Sequence, residues 1–274
     1  VTATDPDHLD IYGTKEAYLE SFSKYTSLIQ PGGALIMHTG LEMQPRLQQG
    51  VELYTYGRDA GDFHAENIRI GGGDITFDFV SPRGTVRDIS LGVPVSINID
   101  NSIAAMALAQ LNGATDEELR NGMASYRGVE RRFDFKIRTP DRAFLTDYAH
   151  HPAELRQSAL SIRELYKGKK LTALFQPHLY TRTRDFYADF AESLSLFDEV
   201  ILTDIYPARE APIEGVTSRL IYDRLAPGVE KTLCQKEEVP AIIRTKRPEV
   251  LVLLGAGDLD RYVPQLCDIL NEPC

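Results

Sequence analysis

Basic residues are in deficit in this 274-residue chain. Its 30 lysines and arginines against 40 aspartates and glutamates leave a formal charge of −10. That balance excludes a nucleic-acid backbone as the main partner, because such binding needs a basic surface. An anionic ligand must therefore be met by a local basic pocket. Cysteine is scarce as well: Cys234, Cys267 and Cys274 are widely spaced, odd in number and without metal-ligand spacing. Reduced thiols in a cytoplasmic protein are the reading, rather than a disulfide framework or a zinc site. No apolar run approaches the roughly 18 residues of a membrane span, and no signal peptide is visible. No G-x-x-x-x-G-K-[ST] occurs; the one Gly-Lys pair, Gly168-Lys169, is followed by Lys170. There is no internal repeat, no low-complexity segment and no initiator Met, and the opening VTATDPDHLD reads as a cut made inside a domain.

What is present is enough apolar sequence, 43%, for two medium cores. From Thr14 to Ile29 the residues Tyr18, Leu19, Phe22, Tyr25 and Leu28 recur at helical spacing, which predicts an amphipathic helix ended by Pro31-Gly32-Gly33. GALIMHT supplies a strand. Between about Val51 and Leu91, short β-rich runs separated by glycine turns predict a small antiparallel excursion. Helices follow at Asn98–Leu111 and Thr115–Ser125. A domain boundary is expected near Gly128–Arg132, dividing residues 1–130 from 131–274. Beyond it, strands at FKIR, AFLTDY, KLTALF, EVILTD, EKTLC and EVLVLLG alternate with helical segments, the pattern of a mainly parallel sheet in an α/β fold.

The chemistry concentrates where these strands end. FQPHLYTRTRD, from Phe175 to Asp185, sets His178, Thr181, Arg182 and Arg184 at a strand-to-helix turn, where α/β sheets bind ligands and where a helix N-terminus adds a positive field. DYAHHP places Asp147, Tyr148, His150 and His151 at another strand end. Adjacent histidines rarely aim at one metal, so ligand contact is favoured over zinc, with a capped helix start as the plain alternative. DPDHLD gathers Asp5, Asp7, His8 and Asp10, oxygen ligands that suit magnesium or simply a solvated turn. Asn98 and Asn101, three apart at a helix start, face a base or cap the helix. Arg131-Arg132 reach phosphates or form a surface pair. GAGDLD lacks the third glycine of a dinucleotide fingerprint and is read as a packing turn.

The fragments DPDHLDIYG, NIDNSIAA, GVERRFDF, DYAHHPAEL, FQPHLYTRTRDF and LLGAGD, in that order, resemble the Mur ligases of peptidoglycan synthesis over nearly the whole chain. Within that family the H-x-Y-[ST]-R-T form favours the alanine-adding branch over the tripeptide-recycling branch, which shares DYAHHP. The resemblance implies that residues 1–130 are the distal part of a central ATP-binding domain and 131–274 a complete C-terminal Rossmann-like domain. It implies that the UDP-sugar domain and the P-loop half are absent, so that the fragment alone is inactive. It further implies a cytoplasmic ATP-dependent ligase that activates the carboxylate of UDP-N-acetylmuramate as an acyl phosphate for attack by L-alanine. ATP and Mg2+ would be its cofactors. By the same resemblance His8 would bind magnesium, Asn98 and Asn101 the adenine, and Arg132 the phosphates. Asp147 would orient the nucleotide across an interdomain cleft, and Tyr148, His150, His178 and Arg182 would form the alanine pocket. Ile97 stands where many members have His, and Leu179 where many have Arg. Two other readings remain at this point: the recycling ligase, and a non-catalytic module binding an amino acid or nucleotide. Strand edges exposed by the cut would favour association into a homo-oligomer.

Overall fold

The structure, a computed structural model, describes residues 1–4, 9–139 and 142–272. His8, Asp5, Asp7 and Cys274 lie outside them. The chain divides into two compact units, one of Val1–Arg69 with Ile75–Tyr126, the other of Ile70–Asp74 with Arg127–Cys274.

The first unit opens with α1 (Leu9–Tyr12) and α2 (Lys15–Thr26). Thr14 starts α2 by accepting the Ala17 N–H at 3.2 Å. The periodic face of this helix is not the buried one. Ser23 and Thr26 are buried, while Tyr25 and Leu28 are each 67% exposed. The polar side is taken up by the loop after β1, where the Arg46 N–H donates to the Thr26 hydroxyl at 2.9 Å and the Arg46 guanidinium pairs both oxygens of Glu20 at 2.7 Å. The apolar side lines an open groove of about 610 Å3 with Leu35 and Leu108.

Strands β1 (Ala34–His38) and β2 (Glu52–Tyr56) pair in parallel. VELYTY therefore belongs beside GALIMHT and not to the antiparallel excursion expected to begin at Val51. That excursion is the sheet β3 (His64–Gly71), β4 (Asp74–Ser81) and β5 (Gly84–Ser90), bulged between Phe77 and Phe79. Two helices complete the unit. The first, α3 (Ile97–Leu111), buries Ile99, Ile103 and Met106. The second, α4 (Asp116–Ser125), is started by a capping box in which Thr115 and Glu118 bond each other's backbone.

In the second unit, β6 (Asp134–Arg138), β7 (Ala143–Asp147), α5 (Pro152–Leu165), β8 (Leu171–Phe175), α6 (Tyr180–Leu194), β9 (Glu199–Leu202), α7 (Arg219–Tyr222), β10 (Glu230–Leu233), α8 (Val239–Lys246), β11 (Val250–Leu254) and α9 (Val263–Asn271) follow in order. Six strands form one sheet in the order β10-β9-β8-β11-β7-β6, all parallel except the edge strand β6. Strands β8 and β11 are buried at every residue, which is why LTALF and VLVLL read as continuous apolar runs without alternation. Phe144, Leu174, Ile201, Leu251 and Leu253 make the core of this sheet with α8 and α9. The last strand, β11, inserts between β7 and β8, so the crossover from β7 to β8 spans it. In such sheets the usual ligand position is outside the carboxyl ends of the strands at a break in strand order, here at β7, β8 and β11.

Candidate functional site

Three motif turns follow these strand ends: DYAHHP after β7, QPHLY after β8 and GAGD after β11. The two histidines of the first turn separate in role. His151 caps α5, its imidazole accepting the Ala153 N–H at 3.4 Å and meeting the Phe186 ring edge-on. Pro152 begins the helix, and the Glu154 carboxylate accepts the N–H groups of His150 and His151. His150 turns the other way: its Nδ1 lies 2.9 Å from the Tyr148 carbonyl, a geometry that places a proton on Nδ1 and leaves Nε2 for a ligand. The rings of Tyr148, His150, His178 and Tyr206 follow one another at centroid separations of 5.1, 6.2 and 5.7 Å.

His178 and Arg182 carry the strongest signal. Nδ1 of His178 and Nη1 of Arg182 are buried with no hydrogen-bond partner. A buried guanidinium donor left unpaired costs free energy, and with an unpartnered imidazole nitrogen at the same turn it describes a place for an anion. Burial, and next the Arg182 guanidinium, with smaller contributions from His150 and Arg209, push the His178 imidazole below its ordinary value, so it is neutral near pH 7. A folded-state value below the unfolded one means that the unfolded chain binds the proton more readily. Stability is therefore unaffected above the ordinary imidazole range and falls as pH drops through it. Replacing Arg182 by Gln should raise the His178 midpoint, as read by NMR titration of the imidazole; an unmoved midpoint would place the two groups too far apart to share a ligand.

Two expectations for this turn are corrected. Arg184 does not join Arg182; it pairs with the adjacent Asp185 at 2.7 Å on the exposed face of α6. Nor does the N-terminus of α6 offer its field to a ligand. Glu210, from the loop after β9, already sits there, accepting the Thr181 N–H at 3.0 Å and the Thr181 hydroxyl at 2.5 Å.

Asp147 ends β7 with its carboxylate accepting from the Ser158 hydroxyl and from the N–H groups of Ala149 and Tyr148. Burial outweighs these bonds and holds its carboxyl above the ordinary value. A raised carboxyl binds its proton more tightly folded than unfolded, so the ionised group weakens the fold above the carboxylate range, and the penalty is relieved as pH falls. Asp147→Asn should accordingly raise the thermal midpoint at pH 8, with the difference shrinking toward pH 4; an equal or lower midpoint at pH 8 would contradict the assignment. Acids held in this way are enriched at functional positions.

Of the arginine pair, Arg132 is exposed. Arg131 is the anchored one, bonding the Gly255 carbonyl at 2.9 Å and Asp260 at 3.3 Å, with its guanidinium 4.9 Å above the Tyr148 ring. Gln176 locks the third turn: its carbonyl accepts the N–H groups of Asp258 and Leu259, and its amide donates to Asp258, which Lys236 also pairs. A Cβ on Gly257 would lie 1.9 Å from Gln176 Oε1, so GAGD is a packing turn whose glycine permits the approach.

The first unit holds a separate cavity of about 380 Å3, lined by Asn98 and Asn101 on α3 with Leu91, Val93, Met123 and Tyr126. Asn98 does not cap α3. Its amide donates to the Val93 carbonyl at 3.1 Å and its own oxygen accepts from Asn101 at 3.2 Å. Asp100, between them, faces Arg58 and His38, and Arg58 bonds the Ser96 carbonyl at 2.6 Å, which fixes the start of the helix. A lining of apolar side chains, one tyrosine and two amides suits a planar heteroaromatic ring. Among the described residues no group of three His, Cys, Asp or Glu converges to hold a metal, and His8 lies outside them, so magnesium gains no support here. Sequence reasoning named Arg131 only as half of the Arg131-Arg132 pair, and it missed Gln176, Tyr206, Glu210, Met123 and Tyr126. For Tyr206 a signal existed, since DIYPARE follows a parallel strand just as the other motif turns do.

Two family models match the chain. The Mur ligase glutamate ligase domain matches residues 131–257, and the Mur ligase middle domain matches residues 1–109. The chain belongs to the Mur ligases. Among its relatives, the UDP-N-acetylmuramate–L-alanine ligase of Phocaeicola vulgatus is 70% identical over 272 residues, covering 99% of this chain and 59% of the relative. The enzyme of the same name from Porphyromonas gingivalis strain W83 is 50% identical over 277 residues, covering 100% of this chain and 60% of the relative. The crystal structure of the UDP-N-acetylmuramate-alanine ligase of Thermotoga maritima superposes with a TM-score of 0.73 at 24% identity, covering 96% of this chain and 57% of that one, a likeness of fold. The chain thus spans about 59% of the length of the relative it matches at 70% identity.

Proposed function

We propose that this chain is the distal part of the central ATP-binding domain (1–130) and the C-terminal domain (131–274) of a cytoplasmic ligase that joins L-alanine to UDP-N-acetylmuramate. The observation that carries the reading is the pair of unpartnered buried nitrogens, His178 Nδ1 and Arg182 Nη1, beyond the carboxyl end of β8. Identity of 70% to an enzyme named for that reaction supports the same choice. ATP supplies the phosphoryl group that activates the sugar carboxylate as an acyl phosphate. The residues of this chain position rather than react. Arg182 and His178 hold the alanine carboxylate and Nε2 of His150 borders it, while Tyr148, steadied by Arg131, closes the side. The amine is left unpaired and free to attack, which is the orientation effect that amide-forming catalysis needs most. Asn98 and Asn101 hold the adenine in the first unit's cavity. Arg132 is assigned to the phosphates, Asp147 to orienting the nucleotide and His8 to magnesium by the family pattern.

The test is substrate choice by the full-length protein. Supplied with ATP and UDP-N-acetylmuramate, it should release phosphate with L-alanine and yield a product heavier by one alanyl residue; release only with a preformed tripeptide would favour the recycling reaction.

A further inference from the structure

We propose that Tyr206 is the residue that limits the side chain of the incoming amino acid, and that Glu210 holds it in place as a positioning residue. This inference rests on the alanine-adding reading above. An amino acid whose carboxylate meets His178 and Arg182 has its Cα one bond away, which brings its side chain within reach of the rings that border His178. One of these is His150, occupied by its bond to Tyr148. The other is Tyr206, stacked on His178 with the planes 23° apart.

Tyr206 is fixed from three directions. Its backbone brackets the β8 turn, its N–H donating to the Pro177 carbonyl at 2.8 Å and its carbonyl accepting from Leu179 at 3.0 Å. Behind it, Gly257 approaches so closely that a Cβ there would stand 3.1 Å from the Tyr206 Cβ. Ahead of it, Glu210 ties the same loop to Thr181, one residue before Arg182. With its backbone and Cβ held in this way and its ring stacked on His178, Tyr206 can yield to a larger side chain only by turning its ring off that stack. Rigid walls discriminate by overpacking, and a single methylene in an apolar pocket is worth about 10- to 200-fold in kcat/KM. The clamp also explains why Glu210 fills the start of α6: with those amides taken, the substrate carboxylate is directed to His178 and Arg182 alone.

The experiment measures kcat and KM of the full-length enzyme with L-alanine, L-2-aminobutyrate and L-valine. In Tyr206→Ala the preference for alanine over 2-aminobutyrate should fall at least about tenfold, through a lower KM for the larger amino acid and a higher KM for alanine. Tyr206→Phe keeps the ring and should keep the preference. Glu210→Ala should relax it in the same direction, and Glu210→Gln, which retains an acceptor for Thr181, should restore most of it. An unchanged preference in Tyr206→Ala, or an equal loss with all three amino acids, would overturn the proposal. If Tyr206→Ala does not fold, Glu210→Ala decides alone by the same criterion. A wild-type enzyme that uses none of the three would instead defeat the functional reading, and this inference with it.

Discussion

Replacing Arg182 by Ala in the full-length protein should reduce alanine-dependent kcat/KM by about 2 to 5 kcal/mol, roughly thirtyfold to several thousandfold. The size follows from what the substitution leaves behind. Arg182 Nη1 is buried and unpartnered, so in the proposed pocket a bound carboxylate would supply the bond that the fold withholds. Without the guanidinium, the carboxylate would meet only the His178 imidazole, whose protonation burial still opposes. Leu179 supplies no substitute charge. Arg182→Lys should recover only part of the loss, since an ammonium cannot reproduce the planar donor pair of a guanidinium. Steady-state phosphate release measures both variants. Normal turnover in Arg182→Ala would remove this residue from the pocket.

Gly92→Ala should be the most damaging single-carbon change in the first unit. A Cβ at Gly92 would stand 1.9 Å from the Tyr126 carbonyl oxygen and 3.0 Å from that of Ala124. Both obstacles are backbone, so relief requires moving the chain that carries Met123 and Tyr126 rather than rotating a side chain. Overpacking of this kind costs about 1 to 3 kcal/mol. The displaced segment is a wall of the Asn98–Asn101 cavity, so the KM for ATP in the full-length protein should rise together with the fall in thermal midpoint. Gly122, inside α4, is the control: nothing lies within 4 Å of its added Cβ. Gly122→Ala should therefore stabilise by roughly 0.5 to 1 kcal/mol. Equal midpoints for the two variants would refute the close-packing account.

The second unit was the more legible part of the fold, and the reason is burial. Strands such as LTALF and VLVLL are covered on both faces and bounded by glycine, proline or charge, so each stands out as a parallel strand. In the first unit, periodicity misassigned the face of α2, because Arg46 and Glu20 bind its polar side while Tyr25 and Leu28 line an open groove. It also placed VELYTY in the wrong sheet, since pairing direction is a long-range choice that local alternation does not encode. At the site, the motif residues His150, His178 and Arg182 were readable because each stands at a strand end among chemically unusual neighbours. Arg131 was not separable from Arg132, as their distinction lies in which one reaches Gly255 and Asp260 from 124 and 129 residues away. Glu210 was hidden for the same reason: its partner Thr181 is 29 residues distant, and a lone glutamate in a loop carries no local sign of capping a helix.

The most direct test of the account is a crystal structure of the full-length protein with L-alanine and a non-hydrolysable ATP analogue. The alanine carboxylate should lie within hydrogen-bond distance of His178 Nδ1 and Arg182 Nη1, its methyl group against Tyr206, and the adenine between Asn98, Asn101 and Tyr126. An alanine carboxylate bound away from both His178 and Arg182 would contradict the account.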